Sequence, residues 1–154
     1  MSVYLLALLL GLVAGLRAMT APALVSWAAY FGWLDLSGTW LAFLGNVWAL
    51  LILTLFALVE LVTDQLPSTP SRTVPVQFGA RIAAGALSGA AVGASGGAII
   101  GGLLAGIVGA IIGTLGGRAF RARLAKAFGS DRPAAFIEDA VAIGAALLIG
   151  VVLP

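Results

Sequence analysis

The sequence predicts an all-α polytopic membrane protein built as one domain over 1–154, and three observations carry that reading. Of the 154 residues, 62% are hydrophobic and only 9% charged, and the mean hydropathy is +1.15, far outside the range of a soluble domain. Two uncharged blocks, Trp40 to Val59 and Ile82 to Gly117, flank a polar island, Glu60 to Arg81, that holds four charges (Glu60, Asp64, Arg72, Arg81) and three of the six prolines. The downstream block is glycine-rich at helical spacing, as tightly packed membrane helices are. At about 20 residues per bilayer crossing, the chain has room for five or six crossings and for no soluble domain.

The same composition excludes several classes of chemistry. The chain has no cysteine and no histidine, which removes disulfides, thiolate nucleophiles, imidazole bases and the usual zinc or copper ligand sets. Neither a cofactor nor a metal site is expected. There is no Walker loop, GxSxG or CxxC motif, and the glycines lie inside apolar helix rather than after a soluble strand, so the chain does not read as an enzyme. The formal charge of +2 and the sequence pI near 9.7 come from arginines clustered beside the membrane. No basic groove alternates with aromatics, so membrane lipids are expected partners and nucleic acid is not.

In order along the chain, Ser2 to Leu16 is apolar without a basic leader and reads as a retained first helix. Arg17 follows, either a snorkelling interfacial cation or a functional group. Thr20-Ala21-Pro22 supplies a cap and a first-turn proline for a second helix, Pro22 to about Leu34; the alternative is one helix from Ser2 to about Phe31, kinked at Pro22. Trp27, Tyr30, Trp33, Trp40 and Trp48 crowd around the loop Asp35 to Thr39, which has no Lys or Arg and reads as the external boundary. Trp40 to Thr63 is the next crossing, and the prolines of the following loop stop any helix through Leu66 to Val76.

From Arg81 onward, Gly85, Gly89, Gly93, Gly97, Gly101, Gly109, Gly113 and Gly117 fall on one every-fourth-residue register, broken only by Ala105. This glycine-zipper spacing predicts close helix packing and a possible homo-oligomer through the same helices. A turn at Ser95-Gly96-Gly97 would divide the stretch into helices at about 80–94 and 97–116. Arg118 to Arg132 holds five of the eight basic residues and predicts a basic amphipathic surface helix through Phe120, Leu124 and Phe128. Pro133 then restarts the chain as a last helix, Ala134 to Leu153, with Glu138 and Asp139 early in it, where the helix dipole favours acids.

With both termini outside, six crossings place all eight Lys and Arg inside, while five crossings place seven of the eight there. Six crossings also divide the chain into 1–63, a proline-rich loop 64–78, and 79–154, which would make a 3+3 inverted repeat of the kind transporters use.

Gly15-Leu16-Arg17-Ala18-Met19-Thr20-Ala21-Pro22 after a first apolar helix, Glu60-Leu61-Val62-Thr63-Asp64-Gln65-Leu66-Pro67 after the third, the glycine-rich middle and Ile137-Glu138-Asp139 opening the last helix together resemble the DUF4126 family of bacterial membrane proteins. Members often carry Lys where Gln65 stands. The resemblance implies a multi-helix protein of the cell inner membrane and, being to a domain of unknown function, implies no activity.

The remaining candidates are seven ionisable residues at the inner side: Arg17, Glu60, Asp64, Arg72, Arg81, Glu138 and Asp139. A carboxylate within hydrocarbon is costly unless paired, so Glu60 and Asp64, one turn apart, are expected to pair with Arg17 and Arg81. Glu60, Asp64, Glu138 and Asp139 are expected to converge with those arginines on one inward-facing cavity, with Arg72 and the cations of 118–132 more exposed. A small transporter or channel for an ion or an anionic, lipid-linked substrate fits such a set. So does a structural or lipid-organising protein, and an intramembrane enzyme fits less well.

Overall fold

The computed structural model describes residues 2–64 and 74–153; Gln65 and Arg72 lie outside them. The described residues form helices and no strand: α1 Val3–Leu16, α2 Thr20–Tyr30, α3 Val47–Thr63, α4 Pro75–Ser95, α5 Ile99–Phe128 and α6 Asp131–Val152, with a 3₁₀ helix, Trp40–Gly45, before α3. Two of them, α5 with 30 residues and α6 with 22, are long and apolar enough to cross a membrane; α1 and α3 are shorter apolar helices.

Local chemistry sets most of the boundaries. Ser2 Oγ accepts from Leu5 N at 3.2 Å to start α1, and Asn46 Oδ1 accepts from Trp48 N at 2.9 Å to start α3. Pro75 occupies the first turn of α4, where its missing N–H would have had no helical partner. The α4–α5 turn runs through Gly97 at φ +73°, and α5 ends at Gly129 at φ +68°, both in the left-handed region that glycine enters freely. In the loop after α2, the Asp35 carboxylate accepts from Ser37 Oγ at 2.5 Å and Ser37 N at 3.0 Å, which holds its pKa below the ordinary value. Beside that loop Trp27, Phe31 and Trp33 stack with ring centroids 5.6 and 5.7 Å apart.

Several expected boundaries are corrected. The helix expected over Trp40 to Thr63 is interrupted at Asn46, whose extended backbone (φ −80°, ψ 142°) frees its side chain to cap α3. Helix was expected only after Val76, yet α4 already includes Pro75 and Val76. The expected break after residue 116 and the separate surface helix beyond it do not occur. With no proline between Ile99 and Phe128, α5 continues unbroken, and the basic segment forms its last turns. Pro133 does not restart the chain either, because it sits in the first turn of α6, where proline is tolerated.

The helices alternate in direction. Val3 and Tyr4 of α1 lie at Gly96 and Gly101, and Gly15 at Gly113 and Thr114, so α1 runs parallel to α5; Gly93 at Gly102 and Gly85 at Gly106 make α4 antiparallel to it. Arg17 takes an extended conformation (φ −140°, ψ 110°) that ends α1. Beyond it α2 folds back, its Met19 beside Glu60 and its Trp27 beside Thr54 of α3. The single kinked helix from Ser2 to Phe31 is therefore excluded. The ends of α1 and α3 and the starts of α2, α4 and α6 gather at one end of the molecule.

Glycine backbones carry the contacts among α1, α4 and α5. A Cβ at Gly89 would run into Gly102 O, one at Gly106 into Gly85 O, and one at Gly109 into Leu8 O of α1; one at Gly15 would come within 2.6 Å of Ala110 O. Of the expected register, Gly85, Gly89, Gly93, Gly109 and Gly113 do meet backbone outside their own helix, but they do not form one stripe, because the register crosses the turn. Gly97 lies in the turn, Gly101 comes nearest to the Tyr4 ring, and the α5 glycines that meet the α4 backbone are Gly102 and Gly106, off that register. Tyr4 is 55% exposed, so its ring can swing aside. Gly106→Leu must instead displace backbone and should cost at least the upper end of the about 1–3 kcal/mol typical of overpacking. We expect it to lower the melting temperature in detergent by about 5 °C or more, while Gly101→Leu stays within about 2 °C of the parent. Equal melting of the two variants would show that the glycine contacts yield easily.

Candidate functional site

The charged end is organised on Arg17, whose side chain has no exposure. A guanidinium offers five donors in a planar fork and cannot shed its charge, so its burial requires acceptors on several sides. Nε donates to Asp139 Oδ1 at 2.5 Å, Nη1 donates to Asp64 Oδ2 at 2.5 Å and to Leu16 O at 3.2 Å, and Nη2 pairs with Asp139. Glu138 Oε2 lies 3.6 Å from Nη1. One side chain thereby joins the end of α1 to α3 and α6.

Glu60 meets main chain first. Its Oε1 accepts from Ala18 N and its Oε2 from Met19 N, each at 2.8 Å. Thr20 was expected to cap the second helix; it is instead the first helical residue, and Met19 at the cap position makes no side-chain bond. Glu60 of α3 supplies the cap from a distance, satisfying N–H groups that a helix start leaves open and placing a carboxylate at its positive pole. Arg81, 2% exposed, stands beside it, with Nη2 3.8 Å from Glu60 Oε1 and 3.9 Å from Asp64 Oδ2. Arg81 Nη1 also donates to Gly15 O at 2.8 Å, one of the carbonyls left open at the end of α1.

Glu138 is fully buried and Asp139 partly so. Because α6 starts at Asp131, both lie two turns inside it, beyond the reach of the helix dipole, which fades within the first turn. Their stabilisation comes from arginine. The six expected residues, Arg17, Glu60, Asp64, Arg81, Glu138 and Asp139, are thus neighbours in one ion-paired cluster, whereas Arg72 falls outside the described residues.

Arg121 is an addition, having been grouped with the more exposed cations. It donates to Asp131 through Nε at 2.9 Å and Nη2 at 2.6 Å, to Asp64 O at 3.1 Å, and to Glu138 Oε2 at 3.5 Å. Its signal was the glycine register itself: one more step of four from the buried Gly117 reaches 121, provided the helix continues. Arg118, Arg123, Lys126 and Arg132 are exposed.

Among the described residues no group of three or more Asp or Glu is placed to hold a metal ion. Three guanidinium groups (Arg17, Arg81, Arg121) face four largely buried carboxylates (Glu60, Asp64, Glu138, Asp139), a balance of 3 − 4 = −1 before the exposed Asp131 is counted. Chemically the set combines carboxylates, which can take up a proton, with guanidiniums, which keep their charge.

A family model described as "Domain of unknown function (DUF4126)" matches residues 4–154. The chain belongs to the DUF4126 family. No curated protein and no solved structure matches it, so for this DUF4126 chain the geometry is the guide to chemistry.

Removing Arg17 from this DUF4126 chain leaves Asp64 and Asp139 without their closest partner. Arg17→Gln should cost about 3–5 kcal/mol, the usual loss when one member of a buried ion pair is removed. Arg17→Lys should recover little of it, since an ammonium cannot reproduce the fork, whereas adding Asp139→Asn to Arg17→Gln should recover part. Thermal melts in detergent read all three; full recovery by Arg17→Lys would mean that charge alone, without geometry, holds the cluster.

Proposed function

We propose that this DUF4126 chain is a multi-pass protein of the cell inner membrane with six crossings, and that it is a small transporter or channel whose ion-pair cluster is the coupling centre. The observation that carries the reading is the division of the cluster. Arg17, Glu60 and Asp64 come from the first half of the chain and Arg81, Arg121, Glu138 and Asp139 from the second. The pairs Arg17–Asp139, Arg17–Glu138, Arg81–Glu60 and Arg81–Asp64 all join the two. Ionisable groups inside a membrane protein mark ion and substrate paths, and transporters of 3+3 design bind at the interface of their halves.

The surface supports the membrane placement. Leu51, Leu55, Phe56, Leu58 and Val62 on α3 and Ile100, Leu104, Val108 and Ile112 on α5 are exposed, contiguous apolar faces that water would not tolerate. Six helices of alternating direction bring three connections to the charged end, and the exposed cations of α5 lie there too, as the positive-inside tendency requires. The 3+3 division belongs to the same reading, although α2 with 11 residues and its counterpart α5 with 30 differ greatly in length.

A structural or lipid-organising role has one specific observation in its favour, the use of Glu60 as a helix cap and of Arg81 as a carbonyl partner. Flux into liposomes from a panel of ions and phosphorylated lipids separates the two. In the transport reading some member of the panel crosses, and Asp139→Asn abolishes that flux in protein that still reconstitutes as a folded species, although with a lowered melting temperature; a leak-free absence of flux across the panel supports the structural role. Topology has its own test. Cysteine placed by Ser130→Cys should be protected from an impermeant external thiol reagent and cysteine placed by Ser37→Cys labelled. Labelling at Ser2→Cys supports six crossings and protection supports five.

A further inference from the structure

An apolar groove of about 570 Å³ lies on the outside of the bundle between α1, α5 and α6. Leu9 and Leu16 of α1, Gly116 and Phe120 of α5, and Val141 and Leu148 of α6 line it; along α1 it spans two turns, about 10 Å at 1.5 Å per residue. Gly116 keeps it open. A Cβ there would meet nothing within 4 Å, whereas one at Gly113 on the same wall would run into Leu12 O of α1.

The α5 wall does not end at Phe120. Arg123 and Leu124 follow at three and four residues and share its helix face. Arg123 is exposed, while its neighbour Arg121 is turned inward onto Asp131 and Glu138. The uncharged part of α5 closes at Gly117; Arg123 therefore stands where bilayer hydrocarbon would give way to head groups.

We propose that this groove binds an anionic glycerophospholipid, one acyl chain lying along α1, α5 and α6 and the phosphate meeting Arg123. Charge decides between this occupant and a second copy of the chain. Of the six Asp and Glu residues, Glu60, Asp64, Glu138 and Asp139 are engaged in the cluster, Asp131 is paired with Arg121, and Asp35 lies in the loop after α2. A second copy therefore brings to this end only Asp131 as an exposed carboxylate, already held by its own Arg121, whereas a lipid phosphate reaches Arg123 from the head-group layer, and a guanidinium binds phosphate in bidentate fashion. The proposal rests on the membrane placement above and not on transport.

The test titrates purified full-length protein with phosphatidylglycerol and phosphatidylcholine of identical acyl chains, with native mass spectrometry counting bound lipids and copies of the chain. The parent should prefer phosphatidylglycerol about fivefold, the factor equivalent to one basic residue at an anionic surface. Arg123→Gln should remove the preference and leave phosphatidylcholine binding unchanged. Gly116→Leu, which fills the groove without meeting backbone, should weaken both lipids. Gly144→Leu, also in open space but outside the groove, should weaken neither. Equal binding of the two lipids by the parent, binding indifferent to Gly116→Leu, or a change in the number of copies in place of lipid binding would overturn it, the last by assigning the groove to a second copy. Flux in the liposome assay is a separate readout, so loss of the lipid site and loss of the transport reading are told apart.

Discussion

The burial of Arg17 is the constraint on which the rest of this molecule depends. A guanidinium with no exposure cannot neutralise itself by losing a proton, so the chain must bring acceptors to it. Those acceptors come from three places far apart in sequence, Leu16 beside it, Asp64 at the end of α3, and Asp139 with Glu138 in α6. Satisfying Arg17 therefore fixes the relative placement of three helices. It also explains why α1 stops where it does: extended backbone at Arg17 releases the N–H groups of Ala18 and Met19, which Glu60 then takes.

Glycine makes that constraint reachable. Arg81 meets the Gly15 carbonyl at 2.8 Å, and this contact requires α4 to lie close against α1. The closeness depends on Gly11 and Gly15 facing α5 and on Gly85 and Gly89 facing Gly102 and Gly106, with no side chain between the backbones. A bulkier stripe would widen the α1–α4–α5 group and draw Arg81 away from the cluster. The apolar packing and the charged site are thus one mechanical system.

Much of the charged site was legible in the sequence because apolar surroundings make each charge conspicuous. Arg17, Glu60, Asp64, Arg81, Glu138 and Asp139 interrupt hydrophobic stretches and bear an energetic cost that only mutual pairing relieves. The all-helical fold was legible from the same contrast. Less visible was anything that depends on helix direction. The every-fourth glycine register looks continuous in one dimension, but the turn at Gly97 reverses the chain, so glycines before and after it face each other from two helices. Gly102 and Gly106, one position off the register, emerge only when α4 is laid antiparallel on α5. Arg121 was hidden for a related reason, since a basic run after an apolar helix reads as its surface flank unless the helix is known to continue inward-facing for another turn.

The packing of α3 gives the cluster a mechanical meaning. Leu50 is its one buried residue, and it packs chiefly against α2 and the 3₁₀ helix before it, so little apolar contact ties it to α1, α4 and α5. What ties it there is polar: Asp64 to Arg17, Glu60 and Asp64 to Arg81, and the Asp64 carbonyl to Arg121. Apolar packing is non-directional and survives small displacements, but short ion pairs are lost over an ångström or two and change with the protonation of one carboxylate. Contacts of the second kind hold α3 to the core at the charged end, while α2 is packed into that core through Ala21, Val25 and Ala28 and is joined to α3 by the Trp27–Thr54 bond and to the 3₁₀ helix by the Ser26–Leu44 bond. In the proposed transport reading, this division lets a proton or cation taken up at the cluster loosen the charged end of α3 without unpacking the apolar core of α1, α2, α4 and α5.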